Sequence, residues 1–273
     1  MTNTSKIALL GAGNIGISIV NGLLHSKAYQ PEDIMVTRRR VHMIEKLANK
    51  GVGTSSDNVA ATKASEMIIV AVKPHQAPEL LKEISPVLES DRHILISTVT
   101  GITIQEIRQY TESKVPVFIA MPNTAIALCD SMTCISHDKS SKDDEQKVLD
   151  LFNHLGRTLI IPEELIGAAT VLAACGIAFA LRFLRSISQG GIEIGFGSEL
   201  STLIAAQTLK GASRLILECG HHPEREIDKV TTPLGITISG LNEMEHNGFS
   251  SALIKGLITS YNKIEKIKKR DVN

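Results

Sequence analysis

A short apolar strand that runs directly into a glycine-rich turn constrains this chain more than any other feature. The segment KIALLGAGNIG, residues 6–16, spaces three glycines as G-x-G-x-x-G. The first glycine permits a tight turn, the second lets a phosphate approach the backbone, and the third lets the following helix pack on its strand. Backbone N–H groups at the helix start then bind phosphates. The segment predicts a dinucleotide site formed by Gly11, Ala12, Gly13, Asn14, Ile15 and Gly16.

The second predicted strand, residues 33–37, indicates which dinucleotide binds. It ends in Thr37 and then Arg38, Arg39 and Arg40, where an NAD site commonly has an acidic residue for the ribose hydroxyls. A guanidinium group binds a phosphate monoester as a fork. Thr37, Arg38 and Arg39 therefore favour NADPH, with NADH as a possible second cofactor. The alternative is that these arginines form the solvated start of the next helix.

Strand-like and helical segments alternate up to residue 161, which predicts an α/β fold with a doubly wound sheet. The strand-like runs are Ile7–Leu10, Ile34–Thr37, Met67–Val72, Ile94–Thr98, Val117–Met121, Thr133–Ile135 and Thr158–Ile161. After Pro162 the pattern changes to long, Ala-rich helical periods that continue to the end. We therefore expect a nucleotide-binding domain over residues 1–162 and an all-helical domain over residues 163–273.

The charge balance and the low aromatic content argue against a nucleic-acid partner. The charges balance at 29 basic against 29 acidic residues, and aromatic residues make up 3% of the chain. A nucleic-acid surface needs a basic stripe and aromatic stacking platforms, so we expect no nucleic-acid partner. The N-terminus lacks the succession of charged, apolar and small residues of a signal peptide, which favours a cytoplasmic location.

The cysteines and paired histidines predict no metal site. The cysteines lack zinc-ligand spacing and suggest reduced thiols in a cytoplasmic protein; they are Cys129, Cys134, Cys175 and Cys219. The His221-His222 pair has no third ligand nearby in the sequence, so we interpret it as a loop feature.

One helical segment is long and free of charge. Residues 165–181 are built largely of Ala, Gly and Cys and are shorter than a typical membrane span. A helix buried between protein surfaces fits this composition better than a helix in lipid. A helical layer of this kind can hardly cover itself, so we expect a homodimer or a higher homo-oligomer.

Two further loops follow predicted strands of the first domain. In the segment AVKP, Lys73 and Pro74 stand at the sheet edge where ligands of such folds bind, so Lys73 can face a phosphate or ribose. In the segment MPNT, Asn123 can offer its amide to a nicotinamide or to a substrate. The alternatives are a solvated lysine and an Asx turn without a ligand.

The segment DKVTTPLGITISGLN, residues 228–242, is the strongest signal in the helical half. Thr232 followed by Pro233 predicts a helix that starts at the proline, with Thr232 as its N-cap. Free N–H groups there suit a carboxylate, and Thr237 would lie about one turn into the helix. The alternative is that Thr231, Thr232 and Thr237 only cap and brace the helix.

GAGNIG, AVKP, MPNTA and DKVTTPLGITISGL, in this order over nearly the whole chain, closely resemble the pyrroline-5-carboxylate reductase family. The last motif is specific to that family. The resemblance implies a Rossmann domain, a helical dimerisation domain whose partner completes the active site, and NAD(P)H-dependent reduction of (S)-1-pyrroline-5-carboxylate to L-proline. It places cofactor contacts on the glycine turn and on Thr37, Arg38, Asn58, Val72, Lys73 and Thr100, and substrate contacts on Gly235, Ile236 and Thr237.

The chain also departs from the family pattern. Leu234 replaces the first of two glycines that often follow the proline, and residues 173–179 differ from a common Ser-Gly-Ser-Gly-Pro-Ala-Tyr stretch. Ile119 and Ala125 replace an Arg and a Pro often found around MPNT. These changes affect the expected substrate pocket and leave the cofactor site intact.

Hydride transfer to an imine needs no strong base, so the main task of the site residues is to position the substrate. Thr237 is the candidate to orient the ring nitrogen.

One alternative function is that of a 3-hydroxyacid dehydrogenase, which uses a lysine on the first long helix of its second domain. The chain has no lysine between Lys147 and Lys210. The other alternative is a non-catalytic NADP-binding sensor, which only the departures at Leu234 and residues 173–175 support.

Overall fold

The computed structural model describes residues 6–138 and 140–270, with side chains up to residue 265. The strands are β1 Ile7–Leu10, β2 Ile34–Thr37, β3 Gly53–Ser55, β4 Met67–Val70, β5 Ile94–Ser97, β6 Val117–Met121, β7 Ser131–Asp138 and β8 Gly156–Ile160. The helices are α1 Asn14–Ser26, α2 Glu45–Ala48, α3 Asn58–Lys63, α4 Ala77–Ile84, α5 Ile104–Thr111, α6 Lys142–Asn153, α7 Ile166–Ala169, α8 Gly176–Glu193, α9 Ser198–Cys219, α10 Pro223–Asp228, α11 Ile236–His246 and α12 Phe249–Arg270.

The described strands form one sheet in the order β3-β2-β1-β4-β5-β6-β7-β8. The first six strands in this order are parallel, whereas β7 is antiparallel to β6 and β8 is parallel to β7. The chain first adds strands on one side of β1, ending with β3 at the edge. It then returns to the other side of β1 and adds β4 to β8 in order, as in a doubly wound fold. The predicted N-terminal Rossmann sheet is therefore confirmed.

The central strands β1, β5 and β6 are buried on both faces of the sheet. Along β1, Ile7 and Leu9 contribute to one apolar cluster, and Ala8 and Leu10 contribute to the other. Side chains alternate between the two faces of a strand, so a continuous apolar run is what a doubly covered strand requires. This pattern explains why the central strands could be recognised as short apolar segments.

The predicted strands agree with the structure to within a few residues. The runs Ile7–Leu10, Ile34–Thr37 and Val117–Met121 have the predicted bounds. The run predicted as Thr133–Ile135 extends in both directions to form β7, because antiparallel pairing with β6 continues to Asp138. Strand β3 was not predicted; its sequence GTS is short and polar, and within the described sheet it pairs with β2 at the edge.

The described chain divides into two compact units. The first unit runs to Ile177 and includes the chain from Tyr261 onward; the second is Ala178–Ser260. The second unit is entirely helical outside its turns, as the sequence predicts. Within it, helices α8 and α9 pack through small residues, since the Ser201 hydroxyl donates to the Ser188 carbonyl at 2.7 Å.

The uncharged segment of residues 165–181 is helical in the structure. Helix α7 continues through a π-helical turn at Thr170–Cys175 into α8. The whole helical stretch Glu163–Glu193 is long and apolar enough to cross a membrane by length and composition, with a mean hydropathy of 2.0 in its most apolar window. Core helices of other proteins meet the same criterion, so this finding is weak evidence for a span.

Candidate functional site

The glycine turn lies at the point where the strand order reverses. Strand β1 has β2 on one side and β4 on the other, so the loops after β1 and β4 diverge at the carboxyl edge of the sheet. The Gly11 N–H donates to the Thr37 carbonyl at 3.2 Å, and the Ala71 N–H donates to the Leu10 carbonyl at 2.8 Å. Ligands of open α/β sheets bind in this crevice.

The backbone geometry of the three glycines is the one that their spacing predicts. Gly11 has a φ of +102°, and a Cβ there would lie 2.8 Å from the Ala71 carbonyl oxygen. A Cβ on Gly16 would collide with the Gly11 carbonyl oxygen, so α1 and β1 could not pack as they do. Gly13 is exposed, and a Cβ there would meet no atom within 4 Å. The turn thus leaves open backbone at the position where a pyrophosphate would approach.

The start of α1 presents backbone donors beside this open position. The Ile17 N–H donates to the Gly13 carbonyl at 2.9 Å, which is the first bond of the helix. The N–H groups of Asn14, Ile15 and Gly16 precede it and have no intrahelical acceptor. Together with the helix dipole they form an anion site.

Arg38 reaches the glycine turn from the end of β2. Its Nη1 donates to the Ala12 carbonyl oxygen at 2.8 Å, which fixes the half-buried guanidinium group beside the turn. The rest of the guanidinium fork remains able to bind an anion. Arg39 is exposed, with Nη2 3.8 Å from a carboxylate oxygen of Glu79. A cationic edge therefore borders the turn, as a ribose phosphate requires.

Thr37 and Asn58 lie together at the same edge. Thr37 is 1% exposed, and its hydroxyl donates to Asn58 Oδ1 at 2.6 Å. Asn58 is the first residue of α3, and its Nδ2 donates to Glu83 Oε2 at 3.0 Å. The sequence did not single out Glu79 or Glu83, because their proximity to these residues depends on how α4 packs.

The remaining predicted cofactor residues follow β4 and β5. The Val72 side chain lies against Gly11, since a Cβ on that glycine would be 2.5 Å from Val72 Cγ1. Lys73 is exposed and precedes a 3₁₀ turn at Pro74–Gln76. Thr100 is half-buried in the turn after β5. These positions share the carboxyl edge of the sheet with the glycine turn.

Asn123 is 9% exposed, and chain groups occupy both ends of its side-chain amide. Its Oδ1 accepts from the Ala125 N–H at 3.0 Å, and its Nδ2 donates to the Ala173 carbonyl at 3.3 Å. The first bond is the Asx turn that the sequence allowed as the alternative. The second joins the loop after β6 to the π-helical turn, so Asn123 holds this loop in place in the described chain.

The predicted start of the helix that carries Thr237 is wrong. Helix α11 begins at Ile236 with Gly235 as its N-cap, so Thr232 does not cap it. The Gly235 N–H donates instead to the Thr232 carbonyl at 2.9 Å, which closes a tight turn through Pro233. Proline fits the second position of such a turn as well as the first position of a helix, and the turn is what forms here.

Thr237 is therefore the second residue of α11 and not one turn inside the helix. It is exposed, and the N–H groups of Ile236, Thr237 and Ile238 precede the first intrahelical bond. The Gly235 N–H is already used in the turn. The helix start thus offers backbone donors and a hydroxyl on one exposed turn, which suits a carboxylate.

The paired histidines form hydrogen bonds with residues of α10, and the described cysteines are free thiols. His221 Nδ1 lies 2.6 Å from Glu226 Oε1, and His222 accepts from the Glu224 N–H. Burial raises the pKa of the Cys129 and Cys134 thiols. Among the side chains that the structure describes, in residues 6–138 and 140–265, no group of three His, Cys, Asp or Glu is arranged to hold a metal ion.

Two family models match the chain. Residues 163–267 match the model described as pyrroline-5-carboxylate reductase dimerisation. Residues 6–101 match the model described as NADP oxidoreductase, coenzyme F420-dependent.

Curated relatives have the same family name. Pyrroline-5-carboxylate reductase 2 of Dictyostelium discoideum is 43% identical over 282 residues, which cover 97% of this chain and 94% of the relative. Pyrroline-5-carboxylate reductase 1 of the same organism is 47% identical over 269 residues, covering 94% of this chain. This chain spans 49% of the length of that second relative.

A solved structure has the same fold over nearly the whole chain. It is the Plasmodium falciparum pyrroline carboxylate reductase with NADP bound, which is 24% identical and superimposes with a TM-score of 0.88. The match covers 97% of this chain and 99% of the solved chain.

Proposed function

Because this chain belongs to the pyrroline-5-carboxylate reductase family, we propose that it reduces (S)-1-pyrroline-5-carboxylate to L-proline, the last step of proline biosynthesis. The proposed hydride donor is NADPH, with NADH as a second donor. The observation that carries the proposal is the open glycine turn at the switch point of the sheet, with the Arg38 guanidinium group fixed beside it.

The residues at this edge fit a phosphorylated dinucleotide. Gly13 leaves room for a pyrophosphate, and the N–H groups at the start of α1 supply donors for its oxygens. Arg38 and Arg39 would hold the ribose phosphate. When bound, the reduced nicotinamide supplies the hydride. We propose that Val72, Lys73, Pro74 and Thr100 complete the cofactor site.

The start of α11 is proposed to bind and orient the substrate. The N–H groups of Ile236, Thr237 and Ile238 would hold the substrate carboxylate. Gly235 would keep the preceding turn tight, so that the carboxylate can reach these groups. The Thr237 hydroxyl would donate to or orient the ring nitrogen, so that the imine carbon stays electrophilic. We also propose Asn123 as a substrate-binding residue; its amide is held by bonds to Ala125 and Ala173.

Positioning is the main catalytic task of these residues. The imine carbon accepts the hydride as the carbon–nitrogen double bond becomes a single bond, and the nitrogen keeps or takes its proton. No carboxylate or imidazole base is needed for that step. Fixing the ring against the nicotinamide lowers the entropic part of the barrier. A Thr hydroxyl and a helix start are sufficient for this role.

The proposed active form is a homodimer or a higher homo-oligomer built on the helical domain, residues 163–273. Large apolar side chains of α8 and α9 are exposed in the isolated chain; they include Leu181, Ile192, Leu200, Leu203, Leu215 and Leu217. Apolar surface of this extent is typical of a subunit interface. We interpret residues 165–181 as part of that interface.

We also propose a cytoplasmic location for the protein. The four cysteines are free, which is typical of proteins in a reducing compartment.

The function is tested by incubating the purified protein with pyrroline-5-carboxylate and NADPH. The proposal predicts loss of the NADPH absorbance only when the imine is present, together with formation of L-proline. A protein that binds NADPH but leaves the imine unreduced would instead fit a non-catalytic sensor.

A further inference from the structure

A carboxylate at the start of the long helical stretch reaches the end of the loop that follows β5. Glu163 begins a 3₁₀ turn, Glu163–Leu165, which leads into α7. Its Oε1 accepts from the Ile104 N–H at 2.8 Å. Ile104 is the first residue of α5 and follows residues 98–103, which we refer to as the β5 loop. The bond therefore joins two segments that lie 59 residues apart in the chain.

This bond satisfies a donor that α5 itself leaves open. The first N–H groups of a helix have no intrahelical acceptor, and the N-terminal end of a helix attracts negative charge. A carboxylate that accepts from such an N–H forms a shorter and stronger bond than a neutral oxygen does. Glu163 is half-buried and Ile104 is buried, so water competes with the bond less than it does at an exposed site.

The bond to Glu163 anchors the second end of the β5 loop. At the first end, the Thr98 N–H donates to the Val70 carbonyl of β4 at 2.9 Å. At the second end, Thr103 and Glu106 form a capping box, which ties the loop only to α5 itself. Glu163 adds a connection from this end to a different element. The loop is thus held between β4 and the start of the helical stretch.

The β5 loop lies on the side of the site where the nicotinamide half of a dinucleotide would bind. In the strand order β2-β1-β4-β5, Arg38 follows β2 on one side of the glycine turn, and the β5 loop lies on the other side. A dinucleotide binds across the crevice between these two sides. The loop carries Thr100, half-buried in a turn with Gly101, whose φ is +86°. A shift of the loop would therefore affect the nicotinamide half and spare the adenosine half.

We propose that Glu163 is a positioning residue that holds the β5 loop, and with it Thr100, in place for the nicotinamide half of the cofactor. This inference rests on the cofactor half of the proposed function. Apolar packing supports the same connection, since Ile166 of α7 lies in one buried cluster with Val99 and Ile104. That packing remains without the carboxylate, so loss of the Glu163 side chain should shift the loop and leave the protein folded.

Glu164 provides a matched control one residue away. It is exposed, and its side chain forms no hydrogen bond or ion pair with the described residues. Glu164→Ala removes the same charge from the same turn and leaves the bond to Ile104 intact. Glu163→Gln keeps an acceptor oxygen without the charge, so it retains a weaker form of the bond. Glu163→Ala removes the bond altogether.

The test measures the dissociation constants of two ligands for the whole protein by calorimetry. NADP⁺ reaches both sides of the site, whereas adenosine 2′,5′-bisphosphate carries only the adenosine half with its extra phosphate. Glu163→Ala should weaken NADP⁺ binding about 3- to 10-fold, a part of what a hydrogen bond to a charged group contributes. It should change the binding of adenosine 2′,5′-bisphosphate less than about 2-fold. The NADP⁺ affinity of Glu163→Gln should lie between those of the wild type and Glu163→Ala, and Glu164→Ala should match the wild type.

An unchanged NADP⁺ affinity in Glu163→Ala would overturn the inference. Equal weakening of both ligands would show a general change in fold or charge and would also overturn it, as would a Glu163→Gln protein no better than Glu163→Ala or a Glu164→Ala protein with the same loss. A wild-type protein that binds neither ligand would refute the cofactor half of the proposed function, and the inference with it. The binding data distinguish these failures without any measurement of turnover.

Discussion

The Gly235 N–H donates to the Thr232 carbonyl oxygen at 2.9 Å and closes a turn that holds Leu234 at a φ of +60°. Leu234 occupies the third position of this turn, where a positive φ favours glycine. Its side chain is fully exposed, so in the described chain no packing offsets the strained backbone. The turn leads directly into the start of α11, which carries Thr237.

Leu234→Gly should stabilise the protein. Relief of the left-handed conformation contributes about 1–2 kcal/mol, and the greater flexibility of glycine in the unfolded chain removes about 0.4–1 kcal/mol of this gain. Urea unfolding at one fixed protein concentration measures the difference. Leu234→Ala keeps a Cβ and should gain nothing; a Leu234→Gly protein no more stable than the wild type would contradict the strain.

Thr237→Ala should impair catalysis and leave cofactor binding unchanged. Loss of a hydrogen bond to a charged group costs about 1.5–3 kcal/mol, which corresponds to a fall in kcat/KM of roughly 10- to 150-fold. Steady-state kinetics and NADPH affinity on the same preparation measure both effects. Thr237→Ser keeps the hydroxyl and should retain most activity. Normal turnover with a lowered melting temperature would leave Thr237 a purely structural role.

Replacing Arg38 and Arg39 together by Ala should raise the KM for NADPH and leave the KM for NADH nearly unchanged. Only NADPH carries the phosphate that the two guanidinium groups would bind, and loss of such contacts weakens binding about 10-fold or more. Arg40→Ala removes one positive charge from the adjacent position and should have a much smaller effect. Equal increases for both cofactors would refute the assignment.

Ala178→Arg should disrupt the oligomer. Ala178 is exposed in the isolated chain and lies in the uncharged segment that we assign to the interface. An unpaired arginine buried there costs several kcal/mol, on the order of 3–5. Sedimentation at micromolar concentration should show the wild type as a dimer or larger. Ser90→Arg adds the same charge to an exposed loop and should leave assembly unchanged, whereas an active Ala178→Arg monomer would contradict the interface.

The sheet could be predicted because its strands carry their own signal. Short apolar runs next to polar residues, glycine or proline marked β1, β2 and β6 to the residue. Strand β3 has no such signal, since its pairing with β2 at the sheet edge stabilises a polar sequence. A run of apolar residues identifies a strand that is buried in the middle of a sheet. A short polar strand at the edge of a sheet lacks this signal.

The candidate site was predictable where a role depends on local backbone chemistry. Spacing alone predicted the tight turn at Gly11, and the structure has Arg38 bonded to that turn; the cofactor roles of these residues stay predictions. The start of α11 was misplaced because Pro233 fits both a helix and a turn. Glu83 was missed because its position next to Asn58 depends on the packing of α3 and α4, which no local pattern encodes.

Transfer of a labelled hydride tests the central claim most directly. The protein is incubated with pyrroline-5-carboxylate and NADPH that carries deuterium at the transferred position of the nicotinamide, and the product is analysed by mass spectrometry and NMR. The account predicts L-proline with one deuterium on the ring carbon that was the imine carbon. Unlabelled proline, or oxidation of NADPH without proline, would contradict it.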